Sequence, residues 1–137
     1  MASPSTTSDV PSTRVEDPRP RVWVGHIGPH PATDLEATVA FFELLGTRTV
    51  ASMEHMAVLE LRGGTHVIVQ AVDEVEPGST GDFDLMVDDL DATHVSYAAA
   101  GLAPSAIRAG GIHSSFTVTD PSGIVITINS SHVAGPV

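Results

Sequence analysis

Seven histidines, at positions 26, 30, 55, 66, 94, 113 and 132, stand in a chain with no cysteine. Metal or acid–base chemistry must therefore come from nitrogen and oxygen donors, and thiolate ligation, a thiol nucleophile and disulfides are excluded. An imidazole can move a proton near neutral pH or ligate Zn, Ni, Fe or Mn. His26 lies near the end of a β-prone run, Arg21 to Ile27, which Gly28, Pro29 and Pro31 are expected to end. A strand over residues 65–72 would alternate with period two and put His66, Ile68 and Gln70 on one face. His113 opens a later strand. His30, flanked by two prolines, reads as a solvent-exposed loop residue, and the acids at 82, 84, 88 and 89 read equally well as a solvated stretch. There is no Gly-x-Gly-x-x-Gly, no Gly-Lys-Ser/Thr phosphate loop and no Gly-x-Ser-x-Gly elbow. Gly110-Gly111 is a turn.

The elements that must position these side chains come in two copies. Asp34-Leu35-Glu36-Ala37-Thr38, running to Gly46, recurs as Asp89-Leu90-Asp91-Ala92-Thr93, running to Gly101, with every matched position offset by 55. Thr33 as N-cap with Glu36 at N3 predicts the first helix, and Leu35, Val39 and Phe42 form its buried stripe. Phe41 and Phe42 are core residues first. Strands follow over 47–53, 55–61 and 65–72, the last two joined at Gly63-Gly64. After a polar linker over 73–81 the pattern restarts: strand 82–87, helix 89–100, then strands around 105–108, 113–119 and 123–129, the last pair turned by Asp120-Pro121-Ser122-Gly123. The fold class is α+β, a tandem pair of βαβββ units.

The chain of 137 residues has length for one domain. With 6 Lys+Arg against 17 Asp+Glu its net charge is −11, a field that repels phosphate backbones and anionic lipid. Neither nucleic acid nor a membrane is an expected partner. No run reaches the ~18 apolar residues of a bilayer span, and a secretory start is missing, so the expectation is a cytoplasmic protein. Residues 1–20, rich in Ser, Thr and Pro, are expected to form a disordered or loosely docked tail.

His26-Ile27 on a first strand, the helix from Asp34 through Phe41-Phe42-Glu43 to Leu45-Gly46, its second copy from Asp88, and Phe116 followed by Asp120-Pro121-Ser122-Gly123 together resemble the glyoxalase, bleomycin-resistance and extradiol-dioxygenase superfamily, also called vicinal oxygen chelate proteins. The resemblance covers roughly residues 21–130. It implies one glyoxalase-like domain, with units of about 21–72 and 82–130, short tails over 1–20 and 131–137, and an open barrel around a concave chamber. Family enzymes carry up to four metal ligands, one on the first and one on the last strand of each unit. Here those points fall on His26, Ile68, Asp82 and Thr127. His26 and Asp82 could hold a divalent metal (Zn, Ni, Fe or Mn), whereas Ile68 cannot ligate and Thr127 is a poor ligand, so three protein ligands are not supplied at the standard points. The first functional reading is a small-molecule-binding protein that holds an apolar or aromatic ligand against Trp23, His66, Gln70, Phe83, His113, Phe116 and Thr127. The alternative is a metal-dependent enzyme resembling lactoylglutathione lyases or extradiol dioxygenases. The resemblance also implies a homodimer.

Overall fold

The structure, a computed structural model, describes residues 12, 13 and 18–134. Of the tail expected over 1–20, residues 1–11 and 14–17 lie outside the described residues, as do 135–137 at the other end. Strand β1 (Ser12–Thr13) pairs in parallel with β9 (Val133–Ala134), joining the two ends of the described chain.

The first unit is β2 (His26–Ala32), α1 (Leu35–Leu45), β3 (Arg48–Ser52), β4 (Met56–Glu60) and β5 (His66–Ala71), its four strands ordered β2-β5-β4-β3. The second is β6 (Leu85–Val87), α2 (Leu90–Ala99), β7 (Ser115–Thr119) and β8 (Val125–Ser130), ordered β6-β8-β7. In both, the strand before the helix lies parallel to the last strand and the remaining neighbours are antiparallel. The repeat in the sequence is thus a repeat in topology, and neither sheet closes on itself.

The helix caps show the repeat at atomic detail. Asp34 and Asp89 have the same extended backbone, φ −133° and ψ 99°, and each side chain accepts a hydrogen bond at 3.0 Å from the N–H three residues on, Ala37 and Ala92. The cap is therefore Asp34 and not Thr33, because the carboxylate reaches the exposed amide dipoles at the helix start and answers them with full charge. Gly46, at φ 131°, ends α1, and its N–H donates to Phe42 and Glu43 carbonyls.

Strand bounds differ from expectation: β2 begins at His26 rather than at Arg21, β6 begins at Leu85 rather than at 82, and two departures go further. β2 does not stop at Gly28 but runs through Pro29 and Pro31 to Ala32. It can do so because β2 is a sheet edge, where a missing N–H breaks no ladder on the open side. Gly28, at φ 108°, absorbs the register shift between Ile27 and His30; a Cβ there would lie 2.5 Å from the Ile68 carbonyl oxygen. The strand expected at 105–108 is reduced to a bridge between Arg108 and Ser115. Beside it the Ser105 N–H donates to the Thr117 carbonyl at 2.9 Å, but the Thr117 N–H donates back to the Ser105 hydroxyl and the Ser105 carbonyl accepts from His94 Nε2, both at 2.8 Å, so the reciprocal ladder bond is missing.

Both units feed one core. Phe41, Phe42, Leu59, Val67 and Val69 from the first meet Tyr97, Phe116, Val118, Ile126 and Ile128 from the second. The Tyr97 hydroxyl donates to the Leu45 carbonyl at 2.6 Å, tying the second helix to the end of the first.

Candidate functional site

Strand alternation splits each sheet into a covered face and an open one. On β5, Val67 and Val69 are fully buried beneath the helix, while His66 and Ile68 are half-buried and Gln70 is exposed on the other side. On β8, Ile126 and Ile128 are buried, and Val125, Thr127 and Asn129 are half-buried on the open side. Ile68 and Thr127 thus occupy the middle of the two open faces. Val58 pairs with Ile68, and Thr117 with Thr127, extending each face by one strand.

The first open face carries a polar chain. His26 and His66 are register partners whose rings meet edge-on with centroids 5.4 Å apart. His66 Nε2 donates to Glu60 Oε2 at 3.2 Å, and Arg48 Nε donates to Glu60 Oε1 at 2.7 Å. The Arg48 guanidinium, followed by His66, holds the Glu60 carboxyl below the usual carboxylate range. Glu60 was missed by sequence reasoning although its signal was present. A hairpin turning at Gly63-Gly64 sets residues 60 and 66 opposite each other, and they do pair.

The other site candidates are placed less uniformly. Trp23 is 61 % exposed, between exposed Val22 and Val24, in the segment leading to β2. Phe116, expected to line the chamber, is 1 % exposed and sits in the core, its ring against His94 and Tyr97. It falls on the covered face because it pairs with Ile128 and so shares that residue's side of the sheet. Phe83 is half-buried against His30 and Phe42. His113 lies beyond the start of β7, where its Nδ1 donates to the Ser130 carbonyl at 2.7 Å and its ring stacks on His132.

His30 departs most from the expectation of an exposed loop. It is 2 % exposed, and its Nε2 donates to Asp120 Oδ2 at 2.6 Å across ninety residues of chain. The register shift at Gly28 does this: past it His30 pairs with buried Val69, whereas His26 pairs with His66 on the open face, so the imidazole turns into the core.

The register also relocates the counterpart of His26. In the first unit His26 stands beside His66, and in the second Thr80 stands beside Val125 in the same parallel relation. The matching residue is therefore Thr80, and Asp82 lies two residues further on. Asp82 is exposed and lines a cleft of about 210 Å³ at the seam of the units, together with Gly28, His30, Thr80, Phe83 and Ile124. With Ile68, Thr127 and Thr80 at three of the four corresponding points, the donors there do not make up a three-ligand centre. Among the described residues, no group of three or more His, Asp or Glu side chains could hold a metal ion. Nor is any helix among them long and apolar enough to cross a membrane.

Compared by sequence, the chain matches no family model and no curated protein. Compared by structure, it matches many solved chains. A bleomycin resistance determinant encoded on the transposon Tn5 superposes with a TM-score of 0.64 at 18% identity, over 82% of this chain and 98% of that one. Lactoylglutathione lyase from Agrobacterium tumefaciens gives 0.66 at 16%, over 82% and 96%. A bleomycin-binding protein complexed with bleomycin gives 0.59 at 20%, over 82% and 99%. The chain has the vicinal oxygen chelate fold.

Proposed function

We propose that the protein binds a small apolar or aromatic molecule in the chamber between its two units and does not transform it. The observation that supports this reading best is the pair Ile68 and Thr127. Both are uncharged, both are half-buried at the middle of an open sheet face, and both stand where a catalytic metal centre would need an acid. Val58 and Ile68 on the first open face and Val125 and Thr127 on the second offer apolar contact, and His26, His66, Gln70 and Asn129 on the same faces offer hydrogen bonds, the mixture that small-molecule sites use. The net charge of −11 favours cationic ligands and disfavours anionic ones. That a structural neighbour is a bleomycin-binding protein in complex with bleomycin supports the same class. Action in the cytoplasm and a homodimer belong to this proposal. The dimer draws on the exposed Val22-Trp23-Val24 run beside β2.

Isothermal titration of the protein with bleomycin tests the reading. The expected result is saturable binding that weakens about tenfold in Ile68→Glu, since a carboxylate on the floor must lose its water to a ligand. No heat with bleomycin or with a panel of neutral and cationic aromatic molecules would remove it. The second reading, a divalent-metal lyase or dioxygenase, draws on the adjacent His26 and His66 rings. Near-stoichiometric Zn, Ni, Fe or Mn in the purified protein, lost on His26→Ala, would favour it.

A further inference from the structure

His30 and Asp120 form a buried polar contact at the seam between the units. Their side chains are 1 % and 0 % exposed and lie 2.6 Å apart. Phe42 and Phe83 meet the imidazole edge-on, with ring centroids 5.2 and 5.8 Å away, and keep water from it. A polar group in such surroundings is costly unless its partner is held in one geometry. An all-apolar contact would bury these surfaces with less demand on angle.

Each partner is tied to an open face, His30 as part of β2 and Asp120 in the turn between β7 and β8. His30 stands four residues after His26 on β2, and Gly28 between them is pressed against the Ile68 carbonyl of β5. Asp120 uses its other oxygen, Oδ1, to accept the N–H groups of Ser122 and Ile124 at 2.8 and 2.9 Å, which shapes the turn into β8. Beside this contact the Thr33 N–H donates to the Ser122 hydroxyl at 3.0 Å. A displacement of the carboxylate therefore moves the strand holding Thr127, and a displacement of the imidazole moves the strand holding His26.

We infer that His30 and Asp120 are a positioning pair that fixes the first open face relative to the second, and so sets the width of the ligand chamber. The inference rests on the binding reading for its functional consequence, but its geometric part stands alone. Removing the hydrogen bond while keeping the bulk, as in His30→Phe, leaves a folded chain whose units no longer hold one mutual orientation. His30→Gln, whose amide can place an N–H near the former Nε2, restores it.

The experiment uses the full chain with cysteines introduced as Glu54→Cys in the first unit and Val95→Cys on α2, both exposed positions. The native sequence has no cysteine, so spin labels attach only there. The inter-label distance distribution, measured by pulsed electron resonance, is expected to be single and narrow in the parent and in His30→Gln. In His30→Phe it broadens or splits, while bleomycin affinity falls about tenfold or more. A His30→Phe protein with an unchanged distribution, even one with a lowered melting temperature, would overturn the inference, since the pair would then add stability only. Failure of His30→Phe to fold would overturn it equally, because the contact would be holding the fold rather than its angle. If the parent binds no bleomycin but the distributions behave as stated, the binding reading fails and the positioning role survives.

Discussion

Gly28 is the residue where the local geometry leaves least freedom. At φ 108° it lies in a region that side chains strain to enter, and an added Cβ would meet the Ile68 oxygen at 2.5 Å and the His30 nitrogen at 2.9 Å. Gly28→Ala is expected to cost about 1–3 kcal/mol, read from the urea unfolding midpoint; an unchanged midpoint would show that β2 can slide on β5. Tyr97 makes a pH-dependent prediction. Burial pushes its phenol above the usual value, and the neutral hydroxyl donates to the Leu45 carbonyl. Its contribution is fully present below the unfolded pKa of about 10 and is lost as pH rises through the higher folded value. Stability should therefore decline on the alkaline side, and Tyr97→Phe should flatten that decline while costing about 1 kcal/mol at neutral pH. Thermal melts of both proteins from pH 8 to 11 would check it.

At the level of elements, the twin caps give a matched test. Asp34→Ala and Asp89→Ala each remove one carboxylate from an identical backbone and should each cost about 1 kcal/mol. Measured by chemical denaturation, a much larger loss at one site would show that the carboxylate there does more than cap. These elements also show how far the sequence can be read. The helices were legible because a 55-residue repeat, a polar residue followed by an acid at N3 and a glycine stop all agree, although the cap itself lies one residue later than expected, and the β4–β5 hairpin because Gly63-Gly64 marks its turn. The path of β2 was not. Two prolines and a glycine argue locally against a strand, and only the edge position, a tertiary fact, permits one. That misreading, together with the register shift at Gly28 that moves His30 to the covered face, hid His30, which in turn hid Asp120 behind its role in a turn. Phe116 was misassigned for a related reason: alternation identifies two faces but does not say which one a helix covers.

For the molecule as a whole, two like units share one core and leave one face of each sheet uncovered. The buried residues of β5 and β8 are all apolar, while the open faces mix apolar residues with polar ones and carry the Arg48–Glu60 ion pair at one end, a mixture compatible with the proposed binding of a small molecule. The strongly acidic surface makes the expected association with a cationic ligand sensitive to salt. Raising ionic strength from low to physiological should weaken binding of a cationic aromatic molecule more than of a neutral one of similar size, as titration calorimetry would show. The measurement that bears most directly on the account is an amide NMR titration of the isotopically labelled protein with bleomycin. Shifts should gather at residues 66–70 and 125–129 together and saturate with one affinity. Saturable shifts confined to the outer sides of α1 and α2, leaving both of those strands unmoved, would contradict the claim that the open sheet faces form the binding site.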